Sequence, residues 1–146
     1  MSECLYIIAK DKDVTIVWKK IIANLSASNS EWMVDCLDCL YETNLKEGIH
    51  STEQLLYELE DNTYIFSARM LSSLNSQAFD KKIYTMDDFF NSNCESVVIC
   101  ADLVHFEIFS KNIDALMRLA SSLSKNEATR ISWENIAACG REFLVV

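Results

Sequence analysis

Cys36-Leu37-Asp38-Cys39 is the first arrangement in this 146-residue chain that invites a chemical reading. Two thiolates at this spacing bind zinc when a second close pair or ligand-spaced histidines complete the set, and they cycle through a disulfide when they open a helix after a strand. Neither context is present. The pair falls inside a stretch that alternates like a strand, where residues three apart project to opposite faces. No metal or cofactor is expected. The second arrangement is Asp102, His105 and Glu107. His105 and Glu107 share one strand face with Asp102 just upstream, a trio that offers weak divalent-metal or acid–base chemistry. No nucleophile motif accompanies it, so an ordinary polar strand face is the expectation and no catalytic residue is assigned. His50, the only other histidine, precedes a serine helix cap and reads as solvated loop.

The third arrangement is acidic. The formal net charge is -9. Between residues 31 and 61 stand Glu31, Asp35, Asp38, Glu42, Glu47, Glu53, Glu58, Glu60 and Asp61, opposed only by Lys46. Nearly the whole excess charge thus sits in one fifth of the chain. Such a field repels nucleic acid and anionic lipid and attracts a basic partner. Trp32, Tyr41 and Trp133 lie among polar residues; aromatics mixed with acids form interface anchors, although aromatics are more often core. The candidate partner-binding set is therefore Trp32, Asp35, Asp38, Glu42, Glu58, Glu60 and Asp61. On a regular strand Glu31, Met33, Asp35 and Leu37 share one face, while Asp38 and Glu42 project from the other.

Composition bounds the scaffold. Half of the residues are hydrophobic and 24% are charged. A chain of this length buries about 70% of its unfolded surface and needs no disulfide or metal to fold. One globular domain over residues 1–146 is the simplest organisation. No apolar run approaches a membrane span, and the opening MSECLYIIAK lacks the basic and long apolar regions of a signal peptide. A soluble cytoplasmic protein with all six cysteines reduced is the expectation. There is no proline, and the two glycines, Gly48 and Gly140, exclude a glycine-rich phosphate cradle. Lysine and arginine never cluster with aromatics, so no nucleic-acid partner is expected.

Periodicity supplies the elements. Residues 5–9 read as a buried strand. Trp18, Ile21, Ile22 and Leu25 mark one helix face. Residues 31–41 alternate as a half-exposed strand. Ser51 and Gln54 form a capping box before a helix using Leu55, Leu56 and Leu59. A strand spans 63–70, a loop 72–81 and a short strand 82–84. Thr85 caps a helix carrying Phe89 and Phe90. Strands follow at 96–101 and 105–110, the second with Phe106 and Ile108 opposed to His105, Glu107 and Phe109. Asn112 caps a helix with the stripe Ile113, Leu116, Met117, Ala120 and Leu123. Two further strands span 129–134 and 141–146, with a turn at Gly140. Strand pairs without intervening helices predict an α+β fold: a mainly antiparallel sheet with about four helices packed against it.

The segment containing Ser92, Cys94, Asp102, Phe106, Glu107, Ile108, Phe109 and Lys111 resembles an uncharacterised family of small bacterial α+β proteins. There a Ser-x-Cys precedes an apolar strand and an Asp, followed by an aromatic–Glu–Ile–aromatic–x–Lys strand and a helix. The resemblance covers residues 64–146; it implies a fold and transfers no catalytic residues. In size, acidity and lack of catalytic motifs the chain is also similar in type to immunity proteins of bacterial polymorphic or contact-dependent toxin systems.

The leading functional expectation is an immunity protein that neutralises a cognate toxin, a basic nuclease domain, by stoichiometric occlusion. The alternatives are an intracellular adaptor or regulatory protein with another protein partner, and a small hydrolase-type enzyme using Asp102, His105 and Glu107. Neither the toxin nor the oligomeric state is written in the sequence.

Overall fold

The computed structural model describes residues 3–60, 63–123, 126–135 and 144. Seven strands, β1 (Glu3–Ala9), β2 (Glu31–Cys39), β3 (Gly48–Ser51), β4 (Ile65–Ser73), β5 (Cys94–Ala101), β6 (His105–Ser110) and β7 (Ala128–Asn135), form one sheet. Their order is β3-β2-β4-β5-β6-β1-β7, and every neighbouring pair is antiparallel. Four helices accompany it: α1 (Val14–Leu25), α2 (Thr52–Glu58), α3 (Met86–Phe90) and α4 (Ile113–Ser122). The fold is α+β, as the strand and helix order predicts. None of the helices among the described residues is long and apolar enough to cross a membrane.

The sheet is covered on two faces by unequal cores. On the first face α1 supplies Val17, Trp18, Ile21 and Ile22, α2 supplies Leu55, and α4 supplies Leu116 and Leu119. They pack on Leu5, Ile7, Trp32, Val34, Met70, Val98, Phe106 and Ile108. Trp18 meets Phe106 edge-on, with ring centroids 5.0 Å apart, a favoured aromatic geometry. On the second face a smaller cluster joins Cys4, Leu71, Val97, Ile99 and Phe109 to Ala78, Ile83, Met86 and Phe89, with Leu144 fully buried among them.

Local chemistry sets the helix ends. Ser51 accepts from the Gln54 amide at 3.1 Å, and Asn112 accepts from the Ala115 amide at 3.1 Å, each satisfying an orphan donor of a first turn. The Ser51 cap is not the full reciprocal box expected from the sequence. The Gln54 side chain reaches forward to Glu58, 2.7 Å away. At α3 the reciprocal box does form between Thr85 and Asp88. Backbone amides of Tyr84 and Thr85 donate to the Asp88 carboxylate and hold its pKa below the usual value.

Several expectations need correction. Strand β3 was not anticipated, because Gly-Ile-His-Ser is four residues with one β-branched member. It becomes a strand by pairing with β2 at Met33↔Ile49 and Trp32↔His50. Strand β4 runs on to Ser73 rather than ending at Met70, and Ser72 and Ser73 are buried. Residues 82–84 form no strand, and the carbonyls of Ile83 and Tyr84 bond to Arg69 and Leu144 instead. In α4 the buried line is Ala115, Leu116 and Leu119, while Ile113 and Met117 are exposed. The strand expected at 141–146 lies outside the described residues, apart from Leu144.

The largest correction concerns β2. Asp35 pairs with Arg69 of β4, but the next pair in register is Asp38 with Ser67. Three steps on one strand thus match two on the other, so one extra residue is inserted, a β-bulge. Cys36 carries a φ of 52° there, a left-handed conformation uncommon for a non-glycine residue. The bulge inverts the parity of the rest of the strand. Leu37 and Cys39 pack with Trp32 and Val34 on the helix side, so Asp38 shares the face of Met33 and Asp35. The sequence pattern had placed it on the opposite one.

Candidate functional site

The acidic segment folds into one end of the sheet: β2, the edge strand β3, the loop between them, and α2. Its candidate residues separate into three groups. Asp38, Glu42 and Glu60 are exposed. Glu42 and Glu60, eighteen positions apart in sequence, line one shallow depression with Thr43, Asn44 and Lys46. Glu42 also borders a second depression with Tyr41, Leu37, Cys39 and Glu47. Thr63 holds this region together: its hydroxyl accepts from the Glu60 amide at 3.1 Å and lies 3.5 Å from the Thr43 hydroxyl.

The second group is committed internally. The Asp35 carboxylate takes two hydrogen bonds from Arg69, Nε to Oδ1 at 2.8 Å and Nη2 to Oδ2 at 2.6 Å. Arg69 Nη1 donates to the carbonyls of Ile83 and Leu144. Burial pulls the Arg69 pKa down, but the Asp35 hydrogen bond and charge outweigh it, and the net shift is upward. Glu58 accepts from Gln54 and lies 3.3 Å from His50 Nδ1. His50 is therefore no solvated loop residue. It sits on β3, half-buried, with Nε2 2.7 Å from the Lys46 carbonyl.

The third group is Trp32 and Asp61. Trp32 is fully buried, and its Nε1 donates to Ser26 Oγ at 2.9 Å, so it is a core residue rather than a surface anchor. Asp61 lies outside the described residues. Of the other aromatics singled out, Tyr41 is 66% exposed and Trp133 41% exposed. The structure adds two apolar residues at this end, Tyr57 at 78% exposure and Leu40 at 49%. Tyr57 had a sequence signal: it falls off the stripe of Leu55, Leu56 and Leu59, next to Glu58.

Of the alternative trio, His105 and Glu107 lie on the second sheet face. His105 and Glu107 share a β6 face as expected, and His105 Nδ1 lies 2.9 Å from the Tyr6 hydroxyl. Glu107 stands opposite Tyr6 on one side and Ile99 on the other. Asp102 is in the β5–β6 turn at φ 52°. Among the described residues no three His, Cys, Asp or Glu side chains gather as a metal-holding group.

The chain matches a family model described as a protein of unknown function, DUF2691, over residues 4–138. The chain belongs to the DUF2691 family. This family is uncharacterised, and its match spans both the N-terminal third and the β5–β6 segment that carries the sequence resemblance. No curated protein and no solved structure matches the chain.

Of the five described cysteines, Cys36, Cys39, Cys94 and Cys100 are free thiols, and the environments of the five rank their reactivity. Cys36 is exposed at the bulge, Cys39 is half-buried, and Cys4, Cys94 and Cys100 are buried. Burial, aided by the Asp102 charge, pushes the Cys100 thiol up to about 12. Because the thiolate is the nucleophile, iodoacetamide at pH 8 is expected to label Cys36 first and Cys100 last among these five. Peptide mass spectrometry of a time course checks this. Labelling of Cys100 before Cys36 in the folded protein would overturn the ranking.

Proposed function

We propose that this DUF2691 protein is a binding protein that meets a basic protein partner with the acidic end of its sheet, and that it acts as an immunity protein occluding a cognate toxin, a basic nuclease domain. The observation that carries the reading is the meeting of Glu42 and Glu60, eighteen positions apart, as exposed carboxylates in one depression, with Asp38, Leu40, Tyr41 and Tyr57 also exposed in the same acidic segment. The carboxylates would occupy the positions of a nucleic-acid substrate's phosphates and pair with the toxin's lysines and arginines. Exposed charges of this kind chiefly accelerate association, whereas aromatic anchors set the lifetime of the complex.

The test is the triple charge reversal Asp38→Lys, Glu42→Lys, Glu60→Lys, measured by surface plasmon resonance against the product of an adjacent toxin gene. Asp35 and Glu58 are kept, because their internal pairs tie charge reversal there to folding. The expected result is association slowed about tenfold at low salt. The difference should shrink as the screening length falls toward about 8 Å at physiological ionic strength. Unchanged, salt-independent association would remove the electrostatic mechanism.

A further inference from the structure

The second face of the sheet holds a cavity of about 210 Å³ lined by Met33, Asp35, Arg69, Leu71, Phe79, Lys81, Lys82, Ile83 and Tyr84. Its charge runs against that of the chain. Three cations and one carboxylate line it, in a protein whose net charge is -9. Asp35 is already bonded twice to Arg69. The remaining positive charge therefore resides on Lys81 and Lys82, and among the described residues neither makes an ion pair. The Tyr84 ring lies 5.9 Å from both the Arg69 guanidinium carbon and Lys82 Nζ, an arrangement that holds a cation over an aromatic face. Arg69 has five N–H donors and spends four on Asp35, Ile83 and Leu144. Met33, Leu71, Phe79 and Ile83 contribute apolar wall, and Leu71 and Ile83 are almost fully buried.

The geometry points to a binding site for a small organic anion, a monocarboxylate on a short apolar or aromatic body. Apolar wall with few polar groups is the usual make-up of a small-molecule site, and the polar groups fix orientation. Here the apolar wall takes the body, and Lys81 and Lys82, both exposed, take the carboxylate as charge-assisted donors. The volume equals that of about seven liquid waters, which suits a body of one ring. Inorganic phosphate would satisfy the lysines but leave the apolar wall unfilled. The site shares strand β2 with the acidic end but does not rest on the proposed protein partner, since Asp38, Glu42 and Glu60 do not line it.

The test is a titration of the full chain with benzoate, followed by amide chemical shifts in NMR, alongside the neutral isostere benzamide and inorganic phosphate. The expected result is saturable benzoate binding with Kd about 1 mM or tighter, with shifts centred on Leu71, Phe79 and residues 81–84. Benzamide and phosphate should each bind about tenfold more weakly. The double variant Lys81→Gln, Lys82→Gln changes two exposed side chains and leaves the Arg69–Asp35 pair in place. It should weaken benzoate about tenfold, with an otherwise unchanged amide spectrum. Absence of saturation up to about 10 mM benzoate would overturn the site. Equal affinity for benzamide or phosphate, or an unaffected double variant, would overturn its ligand class.

Discussion

Replacing Arg69 with methionine is expected to destabilise the fold by about 3–5 kcal/mol, the scale for breaking a buried ion pair by removing one partner. Arg69 is 6% exposed on a central strand. It joins β2 through Asp35, the connection to α3 through the Ile83 carbonyl, and the C-terminal segment through the Leu144 carbonyl. Methionine fills part of the volume but strands a carboxylate and two carbonyls, and unpaired buried polar groups are costly. Asp35→Asn should lose about 3 kcal/mol, the lower end of that range, because water still reaches 32% of the Asp35 side chain. The double variant Arg69→Met, Asp35→Leu should recover part of the loss, since an apolar pair carries no stranded charge. Urea denaturation checks all three, as a shift of midpoint at constant slope. A loss under 1 kcal/mol in Arg69→Met would show that the clamp is not structural.

Trp32→Ala is expected to cost a further 3–5 kcal/mol by an unrelated mechanism, roughly the range for truncating a buried large aromatic. The indole is fully buried on the helix side of β2 and donates to Ser26 Oγ. Ser26 also donates to the Ile22 carbonyl at 2.6 Å and accepts from the Thr52 hydroxyl at 3.1 Å. This hydroxyl therefore ties the end of α1 to β2 and the start of α2, and the indole is one of its three partners. Truncation leaves a cavity beneath the helices as well as an unmade hydrogen bond. Trp32→Phe keeps most of the apolar contact and should lose less than Trp32→Ala. Denaturation monitored by circular dichroism measures both. A surface anchor would behave in the opposite way, with stability preserved and only partner affinity reduced; that result would return Trp32 to an interface.

These two residues show how far a linear reading reaches. The positions of α1 and α4, the caps at Ser51, Thr85 and Asn112, and the facing of Phe106 and Ile108 were legible. Each depends on residues within about one or two turns of one another, through periodicity or a side chain bonding a nearby amide. Trp32 was legible as a strand residue alternating with Met33. Its burial stood only as one of two readings, core or anchor, because polar neighbours in sequence say nothing about the helices that close over it. Strand β3 lacked a signal for a related reason: its pairing with β2 supplies the order its composition does not.

The sequence by itself determined the α+β class, the concentration of acid between residues 31 and 61, and the absence of a recognisable catalytic motif. The tertiary structure alone decided which acids remain at the surface. Asp35 and Asp38 are near-identical in the sequence, two acids in one alternating strand. One is held by an arginine 34 positions away, and the other is turned by the Cys36 bulge onto the same face, exposed. The physical reason is that a bulge and a cross-strand ion pair are properties of two strands together. Their energies depend on register and distance between segments that the chain brings together only on folding.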